Sequence, residues 1–139
     1  MSQENVEIAK KVFEAWNAGD LNTLRELYHP DVIVWPVEDW PEPGPFVGQE
    51  AVIRQGEQMR QTWESVTLEL LEDFIDAGDR VLIRHAWRTV GHGPDSSNLE
   101  FTLILTIRKG KVFGFEYFRN HADALEAVGL SEQDAHADS

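Results

Sequence analysis

Cysteine is missing from all 139 residues, which excludes disulfides, a catalytic thiol and thiolate-held zinc or iron–sulfur clusters, since each needs sulfur. Long apolar runs are missing too. The sheet-like segments are interrupted every second residue by Thr, Glu or Arg, so no membrane-spanning helix and no membrane partner are expected. The opening MSQENVEIAKK is polar and carries two glutamates, where a secretory signal needs a basic start and an apolar stretch; a soluble, cytoplasmic protein is expected. Positive charge is scarce: 12 Lys and Arg stand against 25 Asp and Glu, a net charge of −13. A surface of that sign repels phosphate backbones, which argues against nucleic acid as a partner. No His-x-x-x-His spacing or paired Asp/His cluster occurs, and His29, His92, His121 and His136 are scattered, so no metal is expected. Gly91-His92-Gly93 reads as a hairpin turn and not as a phosphate loop, and no cofactor is expected.

What is present is a core. Hydrophobic residues make up 42% of the chain, with seven Phe, five Trp and two Tyr, enough for one self-folding domain over residues 1–130 followed by a polar tail at 131–139. The scarce cations are also concentrated. Residues 80–119 hold seven (Arg80, Arg84, Arg88, Arg108, Lys109, Lys111, Arg119) against three acids (Asp95, Glu100, Glu116), an island suited to neutralising its neighbours or to receiving an anion.

The hydrophobic period divides the chain. Val6, Ala9, Phe13 and Trp16 recur at helical spacing over residues 3–17, and Asp20 caps a second helix that ends at His29-Pro30. Residues 31–36 are β-branched and bounded by prolines, which predicts an edge strand. A Pro-rich loop with Trp40 and Phe46 follows, then a third helix over 49–62. From Ser65 the period is two, predicting strands at about 65–76, 80–90, 99–108 and 111–119 joined by short turns, and a last helix over 121–128 ends at Gly129.

Helix, helix, strand, helix and a four-stranded meander make an α+β layout, with a curved antiparallel sheet wrapped around N-terminal helices. The chain resembles the SnoaL-like group of the NTF2-like (cystatin-like α+β cone) superfamily. Five segments carry the resemblance: Val12-Phe-Glu-Ala-Trp-Asn-Ala-Gly-Asp20, Leu27-Tyr-His-Pro-Asp-Val32, Gly48-Gln-Glu-Ala51, Asp73-Phe-Ile-Asp-Ala-Gly-Asp-Arg-Val81 and Arg108-Lys-Gly-Lys-Val112. They lie at turns and helix ends, and so specify architecture more than chemistry.

The resemblance implies a cone with an internal cavity, a homodimer through the convex sheet face and a small-molecule ligand. It does not carry over a known catalytic set. The isomerase Tyr and two Asp positions are occupied by Val12, Leu103 and Pro36, and the cyclase acid–base Asp falls on Leu103. The five epoxide-hydrolase positions hold Ala86, Arg88, Tyr117, Val34 and Pro36. The same alignment turns Leu82, Arg84, Ala86 and Arg88, Leu99, Phe101 and Leu103, and Phe115, Tyr117 and Arg119 toward the cavity. His85, Trp87, Thr102, Glu116 and Phe118 then lie on the convex face.

Expected ligand contacts are therefore Arg84, Arg88, Arg119, Tyr117, Phe101, Leu103 and Phe115, with Trp40 and Phe46 either forming a lid or packing their loop down. Arginine forks suit an anion and cannot act as a base. These readings favour an apolar or anionic small molecule held by a binding module. The alternative is an isomerase, cyclase or hydrolase-like enzyme acting on an apolar polycyclic or terpenoid-like compound.

Overall fold

A computed structural model describes residues 2–37, 44–91 and 99–130. Helix α1 (Ser2–Ala18) leads into α2 (Leu21–Leu27), strand β1 (Tyr28–Trp35), the two-residue β2 (Phe46–Val47) and α3 (Gln49–Thr62). Strands β3 (Ser65–Leu70), β4 (Ile75–Ala77), β5 (Arg80–Val90), β6 (Leu99–Arg108) and β7 (Lys111–Phe118) follow, and α4 (His121–Ala127) closes the described chain. The sheet runs β2-β1-β7-β6-β5-β3, with β4 beside β5.

Two expectations change here. The sheet is mixed and not wholly antiparallel, because β1 runs parallel to β7; β1 accordingly lies between β2 and β7 and not at the edge. Pro30, which has no N–H to give a ladder, falls in the irregular stretch between the Tyr28 and Ile33 pairings. The segment predicted as one strand over 65–76 is two, β3 and β4, both paired to β5. The break turns Glu72 toward Arg84 and sets Phe74 edge-on to Phe13 of α1.

The motif residues hold the frame together. Asn17 pairs through its amide with both the N–H and the C=O of Leu68, at 2.8 and 3.1 Å, fastening the end of α1 to the edge strand β3. Asp20 caps α2 by accepting from the Thr23 backbone and hydroxyl, hydrogen bonds that hold its carboxyl below the usual range. Gln49 donates to the carbonyls of Arg25 and Tyr28 and so docks α3 on the end of α2. Lys109 and Gly110 both take positive φ in the tight β6–β7 turn.

Helices α1, α2 and α3 cover one face of the sheet. Its main core joins Ala9, Val12 and Ala15 of α1 to Val81, Ile83, Leu103, Leu105 and Phe115 of the sheet. A second cluster of Val37, Met59, Trp63, Val66, Trp87 and Phe101 lies toward the other end, and Trp16 and Tyr117 pack against both. On the opposite face, α4 buries Ala124 and Leu125 on Leu82 and Ile104.

Candidate functional site

Where the two clusters meet, the interior is not filled. Three small voids lie there, of about 40, 30 and 10 Å³. The largest runs between α1, α2 and α3, from a buried end at Leu24, Tyr28, Val34, Val52, Ile53 and Phe115 to a half-open end at Gly19, Leu21, Glu57 and Arg60. The second is walled by Val12, Phe13, Trp16, Leu68, Ile83, Trp87, Leu103 and Phe115, and the third by Pro36, Val37, Gln55, Trp87 and Phe101. Met59 and Tyr117 line all three and form the partitions between them. A water takes on the order of 10–15 Å³ of such space, so the cone expected from the sequence is subdivided here, and an extended ligand needs the partitions to move.

The phenols and the indole among the lining groups are donors. Neither the Tyr28 nor the Tyr117 hydroxyl has a hydrogen-bond partner among the described residues, although both rings are deep in the fold. Burial raises both phenols above their ordinary range, and for Tyr28 the neighbouring Tyr117 adds to the rise, so both stay protonated as donors. Trp16 contributes an indole to the same wall, with its Nε1 in van der Waals reach of a side chain added at Gly56. The half-open end carries the site's two formal charges, Glu57 and Arg60.

Of the residues expected to contact a ligand, Phe101, Leu103, Phe115 and Tyr117 do line the voids. Arg84 and Arg88 do not. In the β5–β6 ladder Ile83 stands opposite Leu103 and His85 opposite Phe101, which puts Arg84 and Arg88 on the other face of the sheet. There Arg84 pairs with Glu72 at 2.8 Å and Arg88 with Glu69. Leu82 shares that face against α4, and His85 and Trp87, expected outside, are buried inside. The reason is a one-residue slip in carrying the family pattern onto β5, which exchanges every side chain between faces. Arg119 is exposed at the end of β7 with its guanidinium 5.6 Å from the Phe101 ring centre. Phe46 packs on the main core from β2, and Trp40 lies outside the described residues.

His85 brings no proton to the voids. Its ring lies among Phe13, Phe101 and Tyr117, Nδ1 faces the Ile83 carbonyl, and Nε2 accepts from the Trp87 indole. Burial pushes its pKa from 6.5 down to about 4, so it is neutral. Among the described residues no group of His, Asp and Glu could hold a metal ion, and no helix is long and apolar enough to cross a membrane.

With this geometry in hand, comparison with known proteins places the chain. The model of the SnoaL-like domain family matches residues 9–115. The chain belongs to the SnoaL-like domain family. Similar solved structures agree on the NTF2-like, cystatin-like architecture of this SnoaL-like domain. Bal32a, from a soil-derived mobile gene cassette, superposes with a TM-score of 0.76 at 21% identity, covering 84% of this chain and 88% of its own. A candidate polyketide cyclase from Sinorhizobium meliloti gives 0.68 at 24% identity, over 80% and 93%. An NTF2-like protein from Burkholderia xenovorans LB400 gives 0.65 at 26% identity, over 85% and 90%. Comparison with curated proteins finds no match.

Sequence reasoning missed Arg60, Tyr28 as a pocket residue, and Met59 as a partition. The signal was available in α3, where Val52, Gly56, Met59, Arg60 and Trp63 follow a helical spacing that puts Arg60 beside the apolar stripe.

Proposed function

We propose that this SnoaL-like domain binds a small, mainly apolar molecule in the void between α1, α2 and α3 and turns one acceptor oxygen of it to the phenols of Tyr28 and Tyr117. One observation carries the reading: Tyr28 and Tyr117 line the same void, and neither hydroxyl has a hydrogen-bond partner among the described residues. A carbonyl or ether oxygen held there would accept from them. Movement of Met59, which is flexible and polarizable, would join the voids around such a ligand.

The test compares menthone with menthane, a matched pair differing by the ketone oxygen. Menthone is expected to bind several-fold more tightly, and Tyr117→Phe to remove most of that difference while leaving menthane unchanged. Equal binding of the pair, or of wild type and variant, would overturn the reading.

A second reading is enzymatic and rests on Glu57, an acid that lines the same void as the two phenols. A ketone held by the phenols with its α-carbon turned toward Glu57 at the half-open end would form a proton-transfer arrangement. It predicts exchange of the menthone α-proton in deuterium oxide that Glu57→Gln abolishes; absence of exchange leaves binding alone.

The domain is further proposed to pair as a homodimer through the sheet face opposite α1–α3. Trp35 and Val47, 50% and 59% exposed, stand on that face in register with Glu116 and Ile33. A monomer in sedimentation equilibrium, or a dimer undisturbed by Trp35→Glu, would contradict this.

A further inference from the structure

The cation that lines the largest void is Arg60, and three observations bear on its role. It is held in place: its guanidinium lies 4.8 Å from the Trp16 ring centre, and one of its nitrogens donates to the Trp16 carbonyl at the end of α1. It is close-fitted: Gly19, at φ +69°, passes so near that a Cβ there would stand 3.2 Å from Nη2. A side chain at Gly19 would be strained by that φ and would press on the guanidinium.

It is also electrically unmatched. Arg25, Arg84 and Arg88 each have a glutamate within ion-pair distance, whereas Arg60, like Arg54, Arg80 and Arg108, has no carboxylate at that distance among the described residues, and of these four it alone lines the largest void. A guanidinium carries five donors in a planar fork, and the Trp16 carbonyl occupies one nitrogen. Glu57, three residues earlier on α3, shares the half-open end without pairing to it, and opposes any anion placed there.

We infer that Arg60 is a specificity-determining residue that selects a carboxylate, so that the molecule taken by this domain is an apolar oxo-acid. Its carboxylate sits at Arg60, its apolar body spans Leu21, Leu24, Val52 and Ile53, and its oxo group reaches Tyr28 and Tyr117. This inference rests on the pocket reading above. Stacking on Trp16 and anchorage to its carbonyl hold the fork ready, which reduces the ordering that binding must supply. A guanidinium that only capped α1 would affect stability and would not distinguish an acid from its ester.

Oxocyclohexylacetate and its methyl ester provide the test, their dissociation constants measured by titration calorimetry on the full chain. The acid is expected to bind about tenfold more tightly than the ester. Arg60→Gln should erase the preference, and Arg60→Lys, which keeps the charge but not the fork, should keep part of it. Because Arg60 also caps α1, Glu57→Gln supplies a variant that leaves that cap alone; it should widen the preference several-fold by removing the opposing charge. Equal affinities for acid and ester in both wild type and Glu57→Gln overturn the role of Arg60. If the ester still binds in that case and Tyr117→Phe weakens it, the pocket reading stands alone. Failure of both compounds to bind up to their solubility limits overturns the two together.

Discussion

The indole N–H of Trp87 donates to Nε2 of His85, two residues back on the same strand, at 3.1 Å. On its other side, Nδ1 of His85 lies 3.2 Å from the Ile83 carbonyl, which can only accept. The ring therefore carries its proton on Nδ1 and its lone pair on Nε2, and each nitrogen is engaged. His85 is a neutral bracket that fixes Trp87 in the wall of two voids, and not a proton carrier.

That bracket makes stability depend on pH. The folded ring has a pKa near 4, against 6.5 when free, so between these values the unfolded chain holds more protons than the folded one. Stability from this source is complete above pH 6.5, and is lost as the pH falls toward 4. The full loss is on the order of 3 kcal/mol. Urea melts across that window should show a steeper decline for the wild type than for His85→Gln. Parallel declines would refute the assignment.

Asn17 fastens α1 to β3 by two hydrogen bonds to Leu68 in a half-buried place. Asn17→Ala leaves both backbone groups without this partner and should cost about 2 kcal/mol, whereas Asn17→Asp keeps only the acceptor and should be no less damaging. Denaturant midpoints within error of the wild type would show that water replaces the amide.

Met59 separates three voids, so Met59→Ala should join them. A loss of about 2–5 kcal/mol is expected, as for other large-to-alanine changes in a core. Much of it should be recovered when menthone is added, because a ligand that fills the space stabilises only the folded state. A destabilised variant that menthone does not rescue would show that the core had closed over the gap.

The fold could be read from the sequence where local chemistry sets it. The Asp20 cap, the Gly19 exit, the Lys109-Gly110 turn and the alternation in β6 each act through near neighbours, and the ends of α1, α3, β5, β6, β7 and α4 lie within a residue or two of those expected, whereas β1 starts three residues early and the 65–76 strand is broken. The parallel docking of β1 on β7 was not legible, because it depends on a partner some eighty positions away that no local signal names. The site divided in the same manner. Phe101 and Leu103 agree with the clear alternation of β6, and Phe115 and Tyr117 follow from the family resemblance. On β5 the carried-over pattern outweighed a simpler signal: Val81, Ile83, His85 and Trp87 form the more apolar set, and the two arginines share the other. Arg60 and Tyr28 converge only when α1, α2 and α3 pack together, which no single periodicity reveals.

The central claim is that a ligand enters the space bounded by Met59 and Tyr117. Met1 and Met59 are the two methionines of the chain, so isotope labelling of methionine methyl groups yields a spectrum with a reporter inside the voids and a control at the N-terminus. Titration with menthone should move or broaden the Met59 methyl signal in a saturable way, leave Met1 unchanged, and lose affinity in Tyr117→Phe. A Met59 signal that stays in place while menthone is brought to its solubility limit would contradict the account.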